Sequence, residues 1–496
     1  MEKVMAEPEI PAFDGTTMEG LPAFSRGTRD SYLQMLMTNT FGQAFYASEK
    51  EQIEEAKALH AAAVNDAEWS LRAAIYAREK GYMRSQPILA LAHLAKVTPR
   101  AEFEDAFGRI IQTPKDLAEF AAAIRRLRGG EGGRKVKRAA GAWLKARLSP
   151  YWAIKYGADR EKGLYSLRDL LCVYHPKFTR VDPSVEYLFE RGDPSTYPEQ
   201  IGAFLALKKV TTDEEKARLI EIGRLPHEVA SAFAGDSPKV WAAIMQQAPI
   251  FALLRHLATL ERHGALEACK EKIQKTFTSS EYVQKSKILP FRFLDAMEKV
   301  KEGWLRDALR DAAELALANV RVPAEPCAVF IDISSSMNSR LLKAAAMFGV
   351  AMAMHGEKVG VYVYNDRLGT LSISKRDSLL TQAEAIVNMC SGGTATHLTT
   401  RLMLESGAKF ETMVLLSDEQ QNIGTDFYSN LVKYRERVNP RLKCFIVNVS
   451  PGYSKSGGLA PKDDPQTFWL YGWSDKIVDF VGLASGEGFQ GAVAAV

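Results

Sequence analysis

The chain has 496 residues, 46% of them hydrophobic and 25% charged, with 64 Lys and Arg against 60 Asp and Glu. That length suggests about two to four domains, and the composition excludes a fibrous, disordered or disulfide-scaffolded protein. The first ten residues lack the apolar core of a signal peptide, and no apolar run approaches the ~20 residues of a membrane span, so a soluble, cytoplasmic protein with no membrane partner is expected; a monomer is the accompanying expectation.

The five cysteines, Cys172, Cys269, Cys327, Cys390 and Cys444, form no C-x-x-C pair and are expected as reduced, mostly buried thiols. Charge is unevenly spread. From residue 323 onward 16 basic residues face 17 acidic ones, which leaves 48 against 43 in residues 1–322. Within the latter, Arg125 to Arg180 holds 15 Lys or Arg and only Glu131, Asp159, Glu161 and Asp169 as acids. A local excess of this size points to an anionic partner.

Residues 1–27 contain Pro, Gly, Thr and acids without periodicity and read as a flexible arm. Residues 28–322 read as helical: Glu49–Ala63, Ala67–Glu79, Pro87–Ala95, Pro114–Arg126 and Glu302–Asn319 place Ala, Leu and Ile at three- and four-residue spacing. Short punctuations such as Thr98-Pro-Arg and Gly129-Gly130 separate them. Helices of this length with short connections suggest stacked, HEAT-like pairs of an α-solenoid; a non-repetitive helical domain is the alternative.

Val322-Pro-Ala-Glu-Pro326 breaks the pattern, and residues 323–496 alternate strands and helices. Ala328–Ile331, Val359–Tyr364, Thr412–Leu416, Lys443–Val449 and Thr467–Tyr471 read as strands. Arg340–His355, Arg376–Met389, Leu398–Gly407, Asp426–Val438 and Asp475–Leu483 read as helices. Such alternation predicts a mostly parallel, doubly wound, Rossmann-like sheet.

The first strand ends in Asp332, with Ser334 and Ser336 at alternate positions after it. Loops at the carboxyl ends of such strands are where open α/β sheets place ligands. Thr394 follows two loop glycines in Ser391-Gly-Gly-Thr394, and Val414-Leu-Leu-Ser-Asp418 is another apolar strand ending in a carboxylate. Two carboxylates and three hydroxyls, with no thiol or imidazole, suit a hard divalent cation, Mg²⁺ before Zn²⁺. Asp332-x-Ser334-x-Ser336 with Thr394 and Asp418 resembles the metal-ion-dependent adhesion site of von Willebrand factor A domains. The bland alternative is a polar loop in which Ser336 caps the next helix. Neither a phosphate-cradling P-loop nor a G-x-S-x-G elbow nor H-E-x-x-H is present, so no catalytic residues and no enzyme are expected.

The basic stretch runs through Gly133-Arg-Lys-Val-Lys-Arg-Ala-Ala-Gly-Ala-Trp143. On a helix beginning near Gly133, Arg134, Lys137, Arg138 and Lys145 share one face, while Ala140 and Trp143 turn inward. A second helix at Ser166-Leu-Arg-Asp-Leu-Leu offers Arg168. Clustered Arg and Lys on neighbouring helices would contact phosphates, and Trp152, Tyr156, Tyr165 and Tyr174 would stack on unpaired bases. A solvated charged face and packed core aromatics are the bland readings.

This stretch, with Leu164-Tyr-Ser-Leu-Arg-Asp-Leu-Leu-Cys-Val-Tyr-His175, Phe41 to Ser48 and the appended A-type domain, resembles the TROVE module of the Ro ribonucleoprotein autoantigen family, including its bacterial members. The resemblance implies a helical ring that binds Y RNA on its outer face. It also implies that single-stranded 3′ ends of misfolded RNAs enter the ring, in RNA quality control and stress response. Carried over, Arg134, Lys137, Arg138 and Arg168 are RNA contacts, with Lys135 and Lys145 counted beside them. Where the vertebrate pattern has a histidine before the Lys/Arg-Asp-Leu-Leu, this chain has Leu167. The A-type domain would clasp the ring and recruit a partner, such as an exoribonuclease, through an acidic side chain. The rival readings are a metal-dependent protein-interaction adaptor without RNA function and a nuclease using the Asp332 metal.

Overall fold

The computed structural model describes residues 11–17, 20–25, 28–38, 49–79, 83–157, 164–178, 182–450, 458–461, 464–471, 481–482 and 485. Phe41 to Ser48 and nearly all of the expected helix Asp475–Leu483 lie outside the described residues. The chain divides into two units, Pro87–Asn319 and Met1–Gln86 together with Val320–Val496.

In the helical unit, Pro114–Arg128 is a helix because its start is specified three ways. Pro114 opens it, the Thr113 hydroxyl accepts from the Asp116 amide (3.1 Å), and the Asp116 carboxylate accepts from the Thr113 amide (3.0 Å). Gly129, in the left-handed region at φ 67°, ends it. Gly132 then turns the chain into the next helix, Gly133–Arg147. Its φ is +85°, and a Cβ there would lie 2.9 Å from Val136 and 3.0 Å from Ile124. Ser166 and Asp169 form a second capping box at the head of Leu167–Tyr174. Alternate helices stack: Arg100–Ile110 on Gly133–Arg147, that helix on Leu167–Tyr174, and further along Pro238–Gln246 on Leu266–Phe277. Stacking of this kind is what successive helix pairs produce.

The other unit is built on a six-stranded sheet. Its strands are β1 (Cys327–Asp332), β2 (Val359–Tyr364), β3 (Leu368–Leu371), β4 (Thr412–Ser417), β5 (Lys443–Asn448) and β6 (Thr467–Tyr471), in the order β3-β2-β1-β4-β5-β6. All neighbours are parallel except β3, which pairs antiparallel with β2 at the edge. β1 and β4 are buried at every position, as central parallel strands covered on both faces must be. One face, including Phe330, Leu415 and Ile446, packs on Met403, Phe427, Leu431 and Tyr434 from the helices His397–Ser406 and Phe427–Arg437. The other takes the helix Asn338–His355, where Gly349 lets the backbone close onto Val329 and Ile331. The expected helix at Arg376–Met389 is shorter, Leu379–Val387, because Ser378 caps it.

Residues 28–86, expected within the helical domain, group instead with this unit, and the helix Thr28–Thr38 packs on β6. Part of the supposed flexible arm is also fixed here. Gly15–Thr16 pairs with Pro22–Ala23, and Phe24 exchanges two backbone hydrogen bonds with Gly458 (3.1 and 2.7 Å) while its ring meets Tyr428 edge-on. Helical periodicity and loop composition carry no information about such long-range docking. Cys269, Cys327 and Cys444 are buried as expected and Cys390 is half-buried, but Cys172 is exposed.

A buried ion pair joins the last strand to the sheet's helical cover. Arg435 donates to Asp464 (2.6 Å), Thr467 (3.2 Å) and the Leu442 carbonyl (3.2 Å), and the two charged side chains are only 9% and 4% exposed. Asp464→Ala would strand the guanidinium and is expected to destabilise this unit by about 3–5 kcal/mol, read by denaturant unfolding.

Candidate functional site

The sheet order reverses between β1 and β4: the chain runs from β1 outward to β2 and β3, then returns to β4 on β1's other side. Their carboxyl ends therefore sit together at the switch point, in register through Ile331 and Leu416. Asp332 is fully buried there. One of its oxygens accepts from the Ser334 amide (2.9 Å), and the other from the hydroxyls of Ser417 (2.6 Å) and Tyr364 (3.4 Å). The Ser334 and Ser336 hydroxyl oxygens are 3.2 Å apart, and the Ser336 hydroxyl bonds the Asp418 carboxylate. Ser336 does not cap the following helix; Met337 holds that position, without a side-chain bond.

The loop bearing Thr394 is tied to both strand ends. The Ser391 amide donates to the Ile333 carbonyl (2.8 Å), and the Ser335 amide to the Gly392 carbonyl (3.2 Å). The Thr394 amide donates to the Asn422 side chain (2.7 Å), whose backbone amide returns a bond to the Thr394 carbonyl (3.1 Å). Gly393 permits this approach, since a Cβ would lie 2.8 Å from the Asn422 side-chain oxygen. Asp332, Ser334, Ser336, Thr394 and Asp418 thus converge, all buried. Tyr364, Ser417 and Asn422 support them and carry no signal in the sequence that marks them out. His397, near the rim, contacts the Ile423 carbonyl through Nδ1 (3.0 Å).

Burial pushes both carboxyls up, and the charge of Asp332 adds to the effect on Asp418, whose value reaches about 7. Two buried, mutually repelling carboxylates beside three hydroxyls fit an oxygen-seeking divalent cation, which would supply the missing positive charge. Among the described residues there is no cluster of three or more His, Cys, Asp or Glu that could hold a metal ion, so this donor set relies on its hydroxyls beside the two carboxylates.

The second constellation is on the helical unit. Helix Gly133–Arg147 buries Val136, Ala139, Ala140, Trp143 and Leu144, and the Trp143 indole donates to the Ile111 carbonyl at 2.6 Å. The opposite side leaves Arg134, Lys137, Arg138 and Lys145 exposed, and all four line one groove of about 410 Å³. Across the groove stand Tyr174, His175 and Lys177. His175 ends its helix in the left-handed region (φ 46°), and both His175 and Lys177 are exposed. Arg138 and Lys137 have only loose surface partners, Glu104 at 3.5 Å and Glu131 at 3.9 Å. Such pairs are worth about 0–1 kcal/mol and are readily exchanged for a phosphate.

Two candidates fall elsewhere. Lys135 donates its ammonium to the Thr98 carbonyl and lies 5.2 Å over the Phe103 ring, so it fastens helices rather than facing the groove. Arg168 is exposed but sits over Phe189 and beside Glu190, outside the groove lining. Leu167, where the family histidine is expected, is buried at the head of its helix. Of the aromatics, Trp152 and Tyr156 stack on each other (5.5 Å), Tyr174 is buried, and Tyr165 bonds Arg125 (3.0 Å).

The family model for the TROVE domain matches residues 227–362, and that for the Ro60 vWA domain matches residues 327–481. Together they span more than half of the chain. The chain belongs to the Ro family. Its fold is also that of the crystal structure of the Deinococcus radiodurans Ro (RSR) protein, with a TM-score of 0.70 at 20% identity over 93% of this chain and 100% of that one. Both expected architectures, the helical region and the A-type domain with its mixed sheet, are therefore present. Ro family membership makes RNA the ligand class. The basic groove lies outside both matched stretches. Among the described residues no helix is long and apolar enough to cross a membrane.

The raised carboxyl sets the pH response of the cation-free protein. An aspartate ordinarily titrates near 4, so between about pH 4 and pH 7 folded Asp418 keeps a proton that the unfolded chain releases. The associated stability is complete below about pH 4 and is lost as pH rises through 7. Thermal unfolding in chelator across this range is expected to show that decline, and Asp418→Asn to flatten it.

Proposed function

We propose that this Ro family protein binds small non-coding RNAs of the Y RNA type and the unpaired 3′ ends of misfolded structured RNAs, in RNA quality control and stress response. The observation that carries the reading is the groove in which Arg134, Lys137, Arg138 and Lys145, projecting from one rigid helix, are met by Lys177 and His175. Cations fixed on a helix read backbone phosphates, and A-form RNA offers its shape and phosphates more readily than its base edges. Selection is then by shape and strandedness rather than by sequence. No catalytic step is assigned to the chain.

The A-type site is the second part of the proposal. Asp332, Ser334, Ser336, Thr394 and Asp418 would hold Mg²⁺ directly or through water, and a carboxylate from a protein partner such as an exoribonuclease would complete the coordination. The support is the fit of the donor set and the two buried, repelling carboxylates. Bound cation would neutralise them and hold the three loops in place.

Filter binding across salt concentrations tests the RNA reading. Alanine at Arg134, Lys137 or Arg138 is expected to weaken binding to unrelated RNAs uniformly and to lower the salt slope by about one for each phosphate no longer neutralised. Lys135→Ala is expected to leave the slope unchanged. Micromolar or weaker affinity, indifferent to these substitutions, would favour the protein-interaction adaptor. For the cation, millimolar MgCl₂ near neutral pH is expected to raise the melting temperature by roughly 2–4 °C in the wild type and not in Asp332→Ala.

A further inference from the structure

The helical unit has a second cavity, of about 610 Å³, between the helices Pro114–Arg128 and Leu167–Tyr174. Ala122, Leu164 and Val173 supply apolar lining, and Arg125, Arg126 and Tyr165 the polar part. Both arginines are exposed, and Arg125 donates to the Tyr165 hydroxyl at 3.0 Å, which holds a guanidinium and a phenol ring side by side. Asp169 also lines the cavity, but its carboxylate accepts from the Ser166 amide (3.0 Å) and hydroxyl (2.8 Å) at the head of its own helix.

We propose that this cavity holds one unpaired nucleotide of the bound RNA, with its base on Tyr165 and the apolar lining and its phosphate on Arg125 and Arg126. The proposal rests on the RNA reading above and adds a subsite to it. The volume is in the range of small-ligand pockets, about 300–1,000 Å³. Two guanidiniums present planar donor forks that match phosphate oxygens. An aromatic ring beside an apolar surface accepts the face of any base, and that face is free only where the base is unpaired. A phosphorylated peptide would use the arginines and leave the ring and the apolar lining without a planar partner.

The cavity's position supports the assignment. The Leu167–Tyr174 helix walls both cavities: Cys172 and Val173 line this one, while Tyr174, with His175 just beyond, lines the basic groove. One RNA strand crossing that short helix meets both. Phosphates held at Arg134 and Lys137 would thus deliver the neighbouring nucleotide to Tyr165, and a duplex, with its bases stacked inside, would occupy only the groove.

The test uses the full chain, a short single-stranded oligouridylate carrying a terminal phosphate and one thiouridine, and a blunt RNA duplex. Tyr165→Ala and the double change Arg125→Ala/Arg126→Ala are each expected to weaken the single strand by about tenfold and to leave the duplex within about twofold. Tyr165→Phe, which keeps the ring but loses the hydroxyl that accepts from Arg125, is expected to weaken the single strand less than Tyr165→Ala does. Ultraviolet cross-links from the thiouridine are expected at Tyr165 or Cys172. Equal loss on both RNAs, cross-links confined to the Arg134–Lys177 groove, or preferential capture of a phosphoserine peptide would overturn the subsite while leaving the RNA reading standing. Wild-type protein that binds neither RNA would overturn the RNA reading itself.

Discussion

The Trp143 indole, buried beneath its helix and donating to the Ile111 carbonyl at 2.6 Å, fixes which side of Gly133–Arg147 faces solvent. Everything distinctive about the helical unit depends on that choice. With Val136, Ala140, Trp143 and Leu144 inward, four of the five cations on the first three turns and a half have nowhere to go but outward, onto one groove. A rotation of the helix by a single residue would bury a guanidinium without a partner, at a cost of several kcal/mol. The apolar face therefore sets the geometry of the charged one.

The sheet unit solves a different electrostatic problem. Here charge is brought inside, where burial makes both Asp332 and Asp418 harder to ionise and the charge of Asp332 adds to the effect on Asp418. The hydroxyls of Ser417, Tyr364 and Ser336 soften the burial but cannot cancel the repulsion. The proposed cation would supply positive charge here, whereas the basic groove offers positive charge of its own. The two units also differ in overall charge, with 38 Lys and Arg against 30 Asp and Glu in Pro87–Asn319 and 26 against 30 in the rest of the chain.

The strand-end chemistry was the most legible feature, because an apolar run that stops at an aspartate dictates where the carboxylate goes. Asp332 and Asp418 follow from that rule alone, and the glycines before Thr394 place its loop. Leu368–Leu371 escaped notice because an exposed edge strand containing Gly369 has neither an apolar run nor clean alternation. On the basic helix, the face shared by Arg134, Lys137, Arg138 and Lys145 was plain from spacing, and the same spacing sets Lys135 aside, about 100° around the helix from Arg134. His175 and Lys177 were not legible as groove residues. They lie just past the helix end at Tyr174, on either side of Pro176, and only tertiary packing brings them opposite Arg134.

The pairing of Phe24 with Gly458 closes a unit whose two parts are separated in the chain by the entire helical unit. During synthesis the early segment emerges first, yet its partner strands appear only after the intervening helices have left the ribosome. The helical unit, contiguous and built from helices packed on their near neighbours in sequence, has no such wait and is free to fold while the chain is still growing. Tyr32 can pack on His60 and Trp69 of the neighbouring N-terminal helices at once, but the part of Thr28–Thr38 that meets β6 must meanwhile wait for its partner. For this protein, the vulnerable species is the nascent chain carrying a finished middle and an unpaired beginning, and it is there that a chaperone would have the most to do.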